Sequence, residues 1–68
     1  MDRKFEVNIR IAMLEHIEQE QAWIDRVVDK FPNLPTKELE GLNADKKDLI
    51  ALKMEIQAEI DEIMQEVA

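Results

Sequence analysis

The sequence predicts an all-α fold, an antiparallel hairpin of two long helices joined by a short connecting helical turn, with two such hairpins pairing into a four-helix bundle. Three observations predict it. Residues 2–30 and 44–68 hold neither glycine nor proline, while Phe31-Pro32-Asn33-Leu34-Pro35-Thr36 punctuates the chain between them. Apolar residues in both stretches recur at steps of three and four, the repeat of a helix with a buried face. Each helix also carries two apolar rows, and a hairpin partner covers only one.

In the first long helix, Val7, Leu14, Gln21 and Val28 share one heptad position. Ile17, Ile24 and Phe31 fall three residues after the last three of these, which builds a seam along one face. Ile11 widens it. A second row of Ile9, Met13, His16, Trp23 and Val27 runs beside the seam and is interrupted by Glu20. Gln21 is the one polar break in the seam; such a residue either fixes register at a cost in stability or sits at the rim and reaches water.

Pro32 and Pro35 lack amide donors and push the residues before them toward extended geometry, so the first helix is expected to end near Lys30 or Phe31. Thr36 is expected to cap a short turn over residues 36–41, stopped by Gly41, the only glycine, in a left-handed conformation. Asn43 then caps the second long helix, with Asp45 favourably placed in its first turn. Leu34, Leu39 and Leu42 are expected to plug the open end of the hairpin. In the second long helix, Leu49, Leu52, Ile56, Ile60, Ile63 and Val67 form one row and Ile50, Met54, Ala58 and Met64 another.

Charge at the helix ends agrees with antiparallel pairing. Arg3 and Lys4 stand at the positive end of the first helix dipole, and Glu62 and Glu66 at the negative end of the second. Each placement alone is unfavourable by roughly 0.3–1 kcal/mol. A hairpin makes these ends neighbours, where basic start and acidic finish offset each other.

Sixty-eight residues read as a single domain, 1–68, and a chain this short hides only about 60% of the surface its unfolded form exposes. Reinforcement is therefore expected. Cysteine is absent, which removes disulfides and thiolate metal sites, so oligomerisation, here a homodimer, is the remaining common route. The chain opens without the apolar core of a signal peptide, and its longest apolar run, Ile11-Ala12-Met13-Leu14, cannot span a bilayer, so a cytoplasmic protein without membrane contact is expected. Sixteen acids against nine bases leave a net charge of −7, which repels nucleic-acid phosphates and anionic lipids.

Catalytic chemistry finds little to work with. Serine, tyrosine and cysteine are absent, Thr36 is accounted for as a cap, and no glycine-rich loop exists to cradle a phosphate. Neither an enzyme nor a cofactor is expected. A metal-dependent helical bundle would have to gather His16 and Glu20 with Glu55, Glu59 and Glu62, but the Glu-x-x-His motif of di-iron bundles is broken by Met13, three residues before His16. No metal site is expected.

The sequence therefore points to a non-catalytic protein–protein interaction module, a small acidic regulator or adaptor that binds a protein partner through amphipathic helix surfaces. Trp23 and Val27, with Met13 and Met54, are the candidate apolar contacts, tryptophan being enriched at binding hot spots and methionine adaptable. Glu55 and Glu59 are the candidate acidic contacts. They also serve an alternative, an acidic inhibitor or nucleic-acid mimic, of the kind some phages encode, that blocks a basic nucleic-acid-binding protein. Residues 11–25 and 54–68 hold acids and no lysine or arginine.

Overall fold

The computed structural model describes residues 2–67 and consists of two helices, α1 (Arg3–Lys30) and α2 (Thr36–Val67), packed against each other as an antiparallel hairpin. The described residues form no strand. Asp2 caps α1: its Oδ1 accepts from the Lys4 amide at 3.0 Å, and its carbonyl accepts from Glu6 at 3.2 Å. α1 ends at Lys30, where the Phe31 amide still donates to the Val27 carbonyl at 3.0 Å before Pro32 and Asn33 turn the chain. The two prolines end the helix where the sequence places its end.

α2 departs from expectation at its start. The Leu39 amide donates to the Pro35 carbonyl at 3.0 Å, which puts Pro35 at the cap position and Thr36 in the first helical turn. No separate connecting turn exists. Gly41 and Asn43 lie inside α2, and Gly41 does not take a positive φ. The cause is a continuous inward stripe. Leu39, Leu42, Lys46, Leu49, Lys53, Ile56, Ile60 and Ile63 advance by alternating steps of three and four, and every one is buried or half-buried. Stopping the helix at Gly41 would rotate Leu39 and Leu42 off that stripe, whereas a helical glycine costs only about 1 kcal/mol.

The core is small. Ile17, Ile56 and Ile60 form a buried cluster against which half-buried Val7, Leu14 and Leu49 pack, and Ile24 is buried further along α1. The molecule measures 50 × 16 × 15 Å, and its radius of gyration is 15.7 Å, against about 11 Å for a compact domain of this length.

Among the described residues, four ion pairs cross between the helices. Arg3 Nη1 meets Glu66 Oε2 at 2.7 Å, Arg10 Nε meets Glu59 Oε2 at 3.2 Å, Lys53 Nζ meets Glu18 Oε1 at 3.3 Å and Lys46 Nζ meets Asp25 Oδ1 at 2.6 Å. The first is the pairing of basic start with acidic finish that the end charges suggest. Three of the four cations, Arg10, Lys46 and Lys53, occupy half-buried seam positions, from which their charged heads reach acids on the facing helix, as long stems allow.

Candidate functional site

Because a helix turns by about 100° per residue, Met13 and Leu14 diverge to opposite sides of buried Ile17, and the hairpin has two long edges. On the Met13 edge, Ile9, Ala12, Met13, His16 and Ile17 of α1 face Leu52 of α2 across a shallow groove. Leu52 also lines the adjoining hollow, with Trp23, Ile24, Leu42 and Leu49, so the two form one continuous surface. Trp23, Val27 and Phe31 carry it onward to the hairpin end. Much of this apolar surface is open: Trp23 is 63% exposed, Met13 44%, Ile9 43% and Leu52 42%.

Polar groups border this edge asymmetrically. Glu20, Asp45 and Asp48 line the hollow that holds Trp23. Glu55 is exposed and stands about 60° around α2 from Leu52, on the same side. Neither lysine nor arginine lines the groove or the Trp23 hollow; Arg26 and Lys30 lie beyond, at the hairpin end. His16 Nε2 pairs with Glu20 Oε1 at 3.0 Å along α1, both side chains largely exposed.

The opposite edge has another character. Glu18–Lys53 and Asp25–Lys46 bridge the helices there, and its apolar part, Val7, Ile63 and Met64, lies beside Arg3 and Lys4.

The sequence-predicted contacts thus separate. Met13, Trp23 and Val27 share one edge, and Glu55 flanks it. Met54 is 69% exposed but sits about 200° around the helix from Leu52, away from that edge. Glu59 is half-buried and engaged with Arg10, whose Nη1 also donates to the Glu6 carbonyl at 3.0 Å. Gln21 is half-buried at the seam, and no buried side-chain polar atom among the described residues lacks a partner, which places its amide at the rim.

The sequence pattern misplaces Leu52, which reads as part of the buried row of α2, and likewise Phe31 and Ile11, which read as part of the α1 seam and are exposed, Phe31 because α1 ends at Lys30. The signal that separates Leu52 is the alternating stripe through Leu49, Lys53 and Ile56, which passes it by. Among the described residues no cluster of three or more His, Asp or Glu side chains is gathered as a metal would require, and no helix is long and apolar enough to cross a membrane. In comparisons with protein-family models, curated proteins and solved structures, the chain matches none.

Proposed function

We propose that the chain is a non-catalytic protein-binding module, a small acidic regulator or adaptor that works through the apolar surface its hairpin leaves open and that self-associates into a four-helix bundle. One observation carries this. The accessible surface is 5591 Å², whereas a compact monomer of 8.0 kDa exposes about 4,450 Å². The excess of roughly 1,100 Å² is comparable to the about 800 Å² that each partner contributes to a standard stable interface. The exposed large apolar residues include Ile9, Met13, Trp23 and Leu52, which share one edge of the hairpin, and a contiguous apolar surface is the kind that marks an interaction site.

Sedimentation equilibrium at micromolar concentration tests the self-association. The expected mass is about twice the 8.0 kDa of the chain. A single species of chain mass that unfolds cooperatively overturns the bundle. Affinity capture then tests partner binding. Trp23→Ala is expected to weaken a captured partner by about 2 kcal/mol or more, the usual threshold of a hot spot, with folding checked first.

The alternative of an acidic mimic is favoured by the acids gathered near Trp23, but Asp25, Glu18, Glu59 and Glu66 are each held by a base of the facing helix. That breaks up a carboxylate array. Under the mimic reading the order of effects inverts: charge reversal at Glu55 and Glu59 abolishes binding and Trp23→Ala leaves it intact.

A further inference from the structure

We infer that the Met13–Leu52 edge receives an amphipathic helix of another protein that carries lysine or arginine beside its apolar row, and does not receive a second copy of this chain. This assignment rests on the protein-binding role proposed above and says which surface serves it. Ile9 and Trp23 are fourteen positions apart on α1, about 21 Å, which matches a helix of four turns laid along the groove. The groove floor is aliphatic, with Ile17 beneath and Leu52 as its far wall. Apolar burial therefore suits either occupant.

Charge separates them. A two-fold interface must complement itself, because each patch meets its own image. Over the span from Ile9 to Trp23, the groove and the hollow beside it offer Glu20, Asp45 and Asp48 and no lysine or arginine; Arg26 and Lys30 stand past Trp23, at the hairpin end. Laid over its own image along that span, the patch sets these acids against a surface that carries the same acids and no base. An ammonium or guanidinium group on an incoming helix answers them, and Asp48 and Glu20 flank the Trp23 hollow where such a group would lie. The opposite edge differs: its acids Glu18 and Asp25 are already neutralised by Lys53 and Lys46 of the facing helix, so it presents no unanswered acidic border.

Trp23 is the only tryptophan, and its emission reports directly on this edge. The probes are two synthetic helical peptides with the same leucine row at steps of three and four, one flanked by lysines and the other by glutamates. The lysine peptide is expected to shift Trp23 emission to the blue with saturation and to bind at least about tenfold more tightly than the glutamate peptide. In the Glu20→Lys, Asp48→Lys double variant, both positions being exposed, the preference is expected to reverse. Equal binding of the two peptides overturns the assignment. So does a blue shift on raising the protein concentration alone, in step with the sedimentation mass, which would put a second copy on this edge while leaving the binding-module role intact. A monomer whose Trp23 responds to neither peptide overturns the role as well.

Discussion

Gly41 and Arg10 are the residues whose places in the structure differ most from their local sequence signals. Inside α2, Gly41 has open space where a side chain would be, and a methyl group added to it would meet nothing within 4 Å. Gly41→Ala is expected to stabilise the fold by about 0.5–1 kcal/mol, because it restores helix propensity and restricts the unfolded chain. A denaturant melt with a higher midpoint and unchanged slope checks this. Had Gly41 ended a helix in the left-handed region, the same change would lower the midpoint. Arg10 occupies a seam position where an aliphatic side chain is the default, and its guanidinium joins Glu59 to the Glu6 carbonyl. A double-mutant cycle of Arg10→Met with Glu59→Gln is expected to give a coupling of about 0.5–1 kcal/mol, modest because both groups remain partly in water. A coupling of zero would make Arg10 a packing residue that acts through its stem.

At the scale of the helices, the inward face of α2 carries the packing, and Met54 lies outside it. Ile56 is 2% exposed and Met54 is 69% exposed, two positions apart. Ile56→Asp buries an unpaired carboxylate among Ile17 and Ile60 and is expected to unfold the chain, while Met54→Asp is expected to stay within about 0.5 kcal/mol of the parent. Circular dichroism melts of the pair check the face assignment, and similar losses in both would show that a second copy covers Met54. The seam of α1 was legible because Val7, Leu14, Ile17 and Ile24 repeat without ambiguity and two prolines mark the end. The start of α2 was less so. Gly41 and Asn43 are strong local punctuation, and the longer stripe from Leu39 to Ile63 outweighs them only once α1 is there to receive it. The candidate site was half legible for a related reason: the second rows show in the sequence, but whether Leu52 or Met54 borders Trp23 depends on which arc of α2 faces α1. Two lysines in the stripe, Lys46 and Lys53, hide that arc from a purely apolar pattern.

For the whole molecule, register and association are both electrostatic questions over a thin apolar core. Among the described residues, four cross-helix ion pairs run from Arg3–Glu66 at one end to Asp25–Lys46 at the other, and sliding one helix by a turn would take Lys53 from Glu18 and Lys46 from Asp25 together. Each exposed pair contributes only about 0–1 kcal/mol, so their main effect is to choose one register. Association adds the net charge of −7 on every copy. Two copies repel, whereas a cationic helix is attracted to the acid-bordered edge. Salt should therefore act on the two processes with opposite signs. Raising salt from about 0.1 M to about 1 M shortens the screening length from roughly 10 Å to roughly 3 Å. Self-association, measured by sedimentation, is expected to strengthen over that range as repulsion is screened and apolar contact persists. Binding of the lysine-flanked helix, followed through Trp23, is expected to weaken. If self-association also weakened, inter-subunit ion pairs and not apolar burial would lead it, and the edge bearing Lys46 and Lys53 would have to supply them. If the lysine-flanked helix held its affinity at high salt, Glu20, Asp45 and Asp48 would be bystanders, and the apolar groove alone would choose its partner.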